Sequence, residues 1–313
     1  MLSQFKNTNL ILAPMAGITD MPFRRICNKF GADITVTEMV SARGLIEGSE
    51  KSFKLLHIDK DEKNTGIQIF GNDPLVMARA AKIVSRFNPA FIDINAGCPA
   101  KKVIKSGSGG GLLNDLDNFK RVLNAVVENS EVPVTCKTRI GFADDYSDEI
   151  IDIIYETGIR KIAIHGRTVK MGFKGSANYD WCKHINKFND VKFVLNGDID
   201  SPRRAMDLIL QYPGTDIMIG RGALGNPFIF EKIKKAILGE PINDISYKIW
   251  FDTIREHYNL MLEYYGDYGL ILMRKHVGWY LKGMRNSKKI KDFIFRSNNY
   301  KEIIEVLGEY DRT

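Results

Sequence analysis

The segment Phe193–Gly222, FVLNGDIDSPRRAMDLILQYPGTDIMIGRG, carries one complete unit of the fold. Phe193–Asn196 is a short apolar run that stops at Gly197-Asp198. Ser201-Pro202 then opens a helix that runs through Leu210, because serine caps a first turn and proline needs no donor there. Ile217–Gly220 is the next apolar run, ending at Arg221-Gly222. Strand, helix, strand in so short a span predicts a parallel pair with its crossover. Working toward the N-terminus, Leu10–Met15, Ile34–Met39, Ile67–Phe70, Phe91–Asn95, Val132–Thr138 and Lys161–His165 complete eight candidate strands, each short and bounded by Gly, Pro or polar residues. Helical spacing lies between them: after Pro74, with Asp73 as N-cap; over Asp117–Val127; and over Asp148–Tyr155 behind Ser147. Eight such units in about 230 residues predict an α/β chain built as a closed (β/α)8 TIM barrel. Pattern alone leaves an open sheet with one extra strand pair as the alternative.

Beyond Pro241 the strand signals stop. Ile245–Tyr265, Leu270–Lys282 and Asn299–Leu307 read as helices, so the expected division is a barrel over residues 1–240 and a helical domain over residues 241–313. The chain has 313 residues, 44% hydrophobic and 27% charged, which excludes wholesale disorder. No apolar run reaches the ~18 residues of a membrane span. The stretch Met1–Asn9 is polar and has no signal core, so secretion is not expected. Cys27, Cys98, Cys136 and Cys182 are too few for a disulfide framework and form no CxxC pair, so no metal site is expected and a reducing cytoplasm fits. The net charge is +7, and its distribution says more than its size. Between Arg274 and Lys301 nine basic residues face one acidic residue, Asp292, so this stretch holds the whole basic excess. It permits a polyanionic partner.

Polar residues gather where the predicted strands end, the face on which such barrels do chemistry. Ala13-Pro14-Met15-Ala16-Gly17 ends the first strand, and Gln68 lies in the third. Asn95-Ala96-Gly97-Cys98-Pro99 ends the fourth, Lys137 and Arg139 the fifth, and His165-Gly166-Arg167-Thr168 the sixth. Asn196-Gly197-Asp198 and Gly220-Arg221-Gly222 end the last two, where glycine turns and a helix N-terminus make a recurrent phosphate site. Lys137 interrupts an apolar strand, which is costly on an inner barrel face unless a polar ligand meets it. Cys98 sits in a glycine turn before proline. A thiol can donate a proton or act as a nucleophile, and the pattern does not choose between them. The other three cysteines fit small buried thiols. Gly107–Gly111 lacks the Lys-Ser/Thr of a phosphate-binding P-loop and reads as a mobile loop over the barrel mouth, with Lys101, Lys102 and Lys105 before it either solvated or on phosphates.

Taken together in order, Ala13–Asp20, Gln68-Ile69-Phe70-Gly71, Asp93–Pro99, Lys137-Thr138-Arg139, His165–Thr168, Asn196–Ile199 and Gly220–Ala223 resemble the tRNA-dihydrouridine synthases over about 230 residues. Arg274–Tyr280 resembles the helical domain of bacterial members, those of the B subfamily most. The resemblance implies an FMN-bound barrel, reduced by NADPH (or NADH), that reduces the 5,6 double bond of a uridine in tRNA, with the D-loop as the favoured site. Carried over by motif, Pro14, Met15 and Ala16 line the flavin, and Gln68 and Lys137 bond its ring edge. Asn196, Gly197, Asp198, Gly220 and Arg221 hold its ribityl chain and phosphate, with His165 nearby. Cys98 becomes the proton donor to C5 of the uracil, while Asn95 and Arg139 contact that base. Ala96, Phe142 and Phe228 replace larger residues common in the family, changes of size alone. The basic stretch, with Arg274, Lys275, Lys288, Lys289 and Lys291, and with Lys101 and Lys102 near the barrel mouth, becomes the expected tRNA contact. Trp279, Tyr280, Phe293 and Phe295 are expected to pack in the helical core. A flavin barrel acting on a free small molecule competes with this reading, but such a substrate has no use for the cationic stretch. An RNA-binding protein without turnover has no use for the polar strand ends. The oligomeric state is left open, and a monomer is compatible with the sequence.

Overall fold

The computed structural model describes Phe5, residues 7–62 and residues 64–310, so most of the polar stretch Met1–Asn9 lies outside the described residues. Among the described residues, nine parallel strands follow in chain order: β1 (Leu10–Leu12), β2 (Ile34–Val36), β3 (Val40–Ser41), β4 (Thr65–Phe70), β5 (Ile92–Ala96), β6 (Val134–Arg139), β7 (Lys161–His165), β8 (Lys192–Asn196) and β9 (Asp216–Ile219). Consecutive strands pair except β2 with β3, β1 pairs with β9, and β2 pairs with β4 through Thr35 and Thr65, so the ring closes. The predicted barrel is therefore present, and the open sheet is excluded. It keeps eight staves because β2 and β3 are one stave in two pieces, both paired to β4. The break has a local cause. Thr37 still bonds the Gly66 carbonyl through its N–H, but its hydroxyl takes the Gln68 N–H that a strand carbonyl would otherwise accept. The first predicted strand is also shorter than expected. Its ladder ends at Ala13, whose N–H donates to Ile219, and Pro14 supplies no donor to continue it.

Strand alternation sorts the side chains. Ile67, Ile69, Ile92, Ile94, Ile162, Ile164, Leu195, Ile217 and Ile219 face the surrounding helices as part of the main core. Ile11, Ala13, Val36, Ala163, Val194 and Met218 form a separate cluster inside the ring. The same inward parity carries Gln68, Asn95, Lys137, Arg139, His165 and Asn196 to the upper end of the barrel. The expected cap at Asp73 is present, with its carboxylate accepting from the N–H groups of Leu75 and Val76. Ser201 likewise caps Pro202–Gln211 by accepting from Arg204.

Past Gly239, which ends the helix Ile229–Leu238 in the left-handed conformation, the described chain is helical: Tyr247–Tyr265, Tyr268–Tyr280, Ser287–Arg296 and Tyr300–Gly308. Ile229–Leu238 and Ser287–Arg296 had no counterpart in the sequence reading. The helical core is not self-contained, because Ile26, Phe30 and Phe228 of the barrel side belong to it. Phe23 packs against His257 and His276 at this junction, with ring centroids 5.6 and 5.1 Å away. Burial lowers the pKa of both imidazoles, His257 to about 3, so both are neutral. Asp20 lies with them, all three ligand atoms within 4.8 Å of one another, but Lys275 adds a positive charge beside them that works against a bound cation. Among the described residues no helix is long and apolar enough to cross a membrane.

Candidate active site

The strand ends enclose a cavity of about 760 Å³ at the top of the barrel. Its walls bring together Pro14, Met15, Ala16, Gln68, Asn95, Cys98, Lys137, Arg139, His165, Asn196, Gly197, Asp198, Gly220 and Arg221, residues drawn from seven separate strand ends. Lys101, Lys102, Arg274, Lys275, Lys288, Lys289 and Lys291 lie outside it.

Lys137 stands on the inner face of β6 and donates from Nζ to Asn196 Oδ1 at 3.0 Å. Burial first, and then neighbouring Arg139, lower its pKa to about 8. An unfolded lysine keeps its proton to about 10.4. Between those values the unfolded chain binds the extra proton, so this group makes stability rise with pH. We expect urea unfolding of the cofactor-free protein to show it: the stability difference between wild type and Lys137→Met shifts in favour of wild type from pH 8 to 10. A flat difference would contradict the burial of this ammonium.

His165 is 8% exposed and its Nδ1 finds no partner among the described residues. Burial, reinforced by Lys137, Arg139, Arg167 and Arg221, lowers its pKa to about 2 and keeps it neutral. Asp198 adopts a positive φ of 49° after Gly197, whose φ is 125°. A Cβ at Gly197 would come 2.7 Å from Ala177 Cβ, so this turn requires glycine. Burial opposes ionisation of Asp198, but the Ala177 N–H and Arg167, with Arg221 adding to them, outweigh it and hold the carboxyl below the usual range. Arg167 meets it at 2.6 Å and Arg221 at 3.1 Å. After β9, Arg221–Ala223 forms the short helical turn expected of a phosphate site.

Cys98 is partly exposed on the cavity wall, whereas Cys27, Cys136 and Cys182 are buried and burial pushes all three thiols up. The Cys98 turn is held from two sides. Asn95 Oδ1 accepts from the N–H groups of Gly97 and Cys98, and Arg139 Nε donates to the Gly97 carbonyl at 2.8 Å. Arg139 Nη1 also donates to the carbonyls of Thr168 and Gly172. The side chain expected on the substrate therefore spends three of its N–H groups on backbone.

Gly107–Gly111 corrects the sequence reading. Gly109–Asn114 is a helical turn with Gly109, Gly110 and Gly111 buried, packed beneath Cys98. The absence of side chains, which suggested mobility, instead permits close packing. A Cβ at Gly110 would lie 2.7 Å from Val169 Cγ2 and 2.9 Å from the Cys98 carbonyl. Gly110→Ala should destabilise the protein by about 1–3 kcal/mol, read as a lowered Tm; an unchanged Tm would show that the turn has slack.

The sequence reading missed Met39, Phe173 and Lys282, which also line the cavity. Met39 arrives there through the break in the second stave. Phe173 is 57% exposed at the mouth, 5.8 Å from the Arg139 guanidinium and 4.8 Å from that of Arg221. Its signal was present in Gly172-Phe173-Lys174-Gly175, an aromatic residue between glycines just past a strand end.

The chain matches the dihydrouridine synthase (Dus) family over residues 11–310. It belongs to the dihydrouridine synthase family. Membership makes it an oxidoreductase that forms dihydrouridine. Among curated relatives, it is 41% identical to "tRNA-dihydrouridine synthase B" of Vibrio parahaemolyticus over 284 residues, 89% of this chain and 88% of that one. It is 38% identical to the protein of the same name from Proteus vulgaris, covering 98% and 96%. It is 34% identical to a "Probable tRNA-dihydrouridine synthase" of Rickettsia conorii, covering 97% and 93%. Among solved structures it resembles histamine dehydrogenase from Rhizobium sp. 4-9, with a TM-score of 0.53 and 12% identity. That likeness covers 80% of this chain and about half (49%) of the other, and shows the fold alone.

The basic stretch divides in the structure. Lys275 Nζ donates to the Gly17 carbonyl of the β1 loop, and Arg274 Nη2 donates to Asn298 at 3.0 Å, so both serve internal contacts. Lys288 and Lys289 are exposed and Lys291 half-buried on Ser287–Arg296, with Phe293 39% and Phe295 40% exposed beside them. The expected core packing holds for Tyr280, is partial for Trp279, and fails for those two phenylalanines. They lie on the missed helix, whose buried residue is Ile294.

Proposed function

We propose that the chain binds FMN in the barrel cavity, accepts reducing equivalents from NADPH, and reduces the 5,6 double bond of a D-loop uridine in tRNA. The observation that carries this reading is one cavity lined by a partly exposed thiol, Cys98, together with the cation Lys137 and a cationic, glycine-turned corner at Asn196–Asp198 and Gly220-Arg221. The residues fit the cofactor. The unpartnered Nδ1 of buried His165 is a polar atom in need of a partner, and the guanidinium of Arg221 with the turn after β9 suits a phosphate. When bound and reduced, the flavin supplies the hydride for C6 of the uracil.

The rest is done by the chain. Hydride arrival at C6 places negative charge toward C5 and O4, and fixed donors lower that barrier. That task is assigned to Asn95, through the N–H that meets only the weak acceptor Met39 Sδ, and to Nη2 of Arg139, which has no hydrogen-bond partner among the described residues. Cys98 holds the proton at Sγ and delivers it to C5. Pro14, Met15 and Ala16 line one wall, and Gln68 and Lys137 meet the cofactor edge. The base must leave its stack to reach the cavity. We assign residues 1–240 to this barrel and residues 241–313 to tRNA binding, with Lys288, Lys289 and Lys291, the exposed phenylalanines, and Lys101 and Lys102 on the binding side, in the cytoplasm.

Purified protein should be yellow and retain FMN; colourless protein that fails to take up added FMN would end the proposal. Reversing the charge of Lys288, Lys289 and Lys291 together should weaken tRNA binding and reduce its salt slope by about 2–3. An unchanged affinity would move the tRNA footprint elsewhere.

A further inference from the structure

One buried acid of the barrel takes no part in the chemistry above. Asp93 on β5 is 3% exposed and points into the ring one turn of the pleat below Asn95. Thr135 Oγ1 donates to its Oδ1 at 2.6 Å, and Gln68 Nε2 donates to its Oδ2 at 2.6 Å. Gln68 Oε1 in turn accepts from Asn95 Nδ2 at 2.7 Å. Asn95 Oδ1 accepts from the N–H groups of Gly97 and Cys98 at 3.2 and 3.0 Å. Gln68 is 1% exposed and Asn95 7%, so these bonds are hidden from competing water.

The chain has a direction. The 2.6 Å bond from the Thr135 hydroxyl is as short as a charge-assisted one. Burial raises the pKa of this carboxyl, and the hydrogen bonds from Thr135 and Gln68 pull against that rise, so both oxygens serve as acceptors. An acceptor at the head obliges Gln68 to turn its NH2 toward Asp93 and its oxygen toward Asn95. Asn95 must then turn its NH2 toward Gln68 and its oxygen toward the Cys98 turn. The backbone donors at the far end demand the same orientation, so a single arrangement satisfies every member. Gln68 keeps one N–H as a donor on the cavity wall, and the second N–H of Asn95 donates to the weak acceptor Met39 Sδ, 3.7 Å from Nδ2.

We infer that Asp93 is a positioning residue: through Gln68 and Asn95 it sets a hydrogen-bond donor against the cofactor edge and at the same time holds the turn that carries Cys98. The inference rests on the assignment of Gln68 to the cofactor and Cys98 to the proton. It adds that the two are oriented by one carboxylate, which itself touches neither substrate nor cofactor.

The test compares Asp93→Leu, which removes both acceptors, with Asp93→Asn. The asparagine keeps an oxygen for Gln68 and offers its NH2 to the Thr135 hydroxyl, which accepts as readily as it donates. In cofactor-free protein, amide exchange at Gly97 and Cys98 should be about tenfold faster in Asp93→Leu, the effect of one lost hydrogen bond. With the holoenzyme, kcat on tRNA should fall about 100-fold, as misplacement of reacting groups does, while KM for tRNA stays within about threefold because the phosphate contacts assigned outside the cavity, which carry most of the affinity, are untouched. Asp93→Asn should restore both readouts to within about threefold of wild type, since the network's geometry survives. Wild-type exchange at Gly97 and Cys98 together with wild-type kcat in Asp93→Leu would overturn the inference, as would an asparagine variant as impaired as the leucine one. Should Asp93→Leu fail to fold, Thr135→Val removes the head bond alone: exchange at the two amides about threefold faster supports the inference, and wild-type exchange overturns it. Exchange is read without cofactor or tRNA, so a failed proton role for Cys98 would leave that result standing.

Discussion

Cys98→Ala should reduce dihydrouridine formation by about 10²–10⁴-fold, the range for loss of a positioned acid, while FMN binding and its reduction by NADPH continue. The reason is placement. Cys98 is the partly exposed thiol of the four and lines the cavity, while Cys27, Cys136 and Cys182 are buried and held protonated. Its backbone N–H, tied to Asn95, fixes where the sulfur stands. Removing Sγ leaves that turn intact, so reduction of the cofactor, which needs no proton at C5 of a uracil, has no cause to fail. Rapid flavin reduction followed by stalled reoxidation on tRNA is the expected kinetic signature. Wild-type turnover by the alanine variant would refute the acid role.

Arg139→Met should be costly to both stability and rate. Three backbone carbonyls would lose their donors, those of Gly97 and Thr168 in a buried setting and that of Gly172 in a part-buried one. With each orphaned group costing about 1–3 kcal/mol, partly relieved by relaxation, a loss of about 3 kcal/mol is expected in urea unfolding. Turnover should fall by about 100-fold or more, because the Gly97 carbonyl belongs to the Cys98 turn and a displaced acid is a slow acid. Arg139→Lys should not rescue, since an ammonium cannot span three carbonyls in the plane that a guanidinium reaches. A methionine variant of wild-type stability and rate would show that this clamp is ornamental.

The barrel was legible because each strand carries its own boundary signals and the unit repeats. The cavity was legible for a related reason: inward parity and strand-end position together select Gln68, Asn95, Lys137, His165 and Asn196 without knowledge of any contact. What escaped depended on contacts distant in sequence. Gly109–Gly111 looked mobile because a glycine run says nothing about what packs on it, and here Val103, Val169 and Cys98 do. Lys275 looked like a tRNA contact because charge shows in sequence, whereas its bond to the Gly17 carbonyl, far off in the chain, does not. Phe293 and Phe295 were given to the core on composition. The helix that carries them buries Ile294 instead and leaves the two rings 39% and 40% exposed. Asp93 showed only as part of a motif, since its role lies in its bonds to Thr135 and Gln68.

The central claim is that this cavity reduces a uridine presented by tRNA. The most direct test incubates the FMN-loaded protein and NADPH with tRNA lacking dihydrouridine, and in parallel with free uridine, then maps the products by mass spectrometry. The account predicts dihydrouridine in the D-loop of the tRNA and none from the free nucleoside. No product from tRNA, or equal turnover of free uridine, would contradict it.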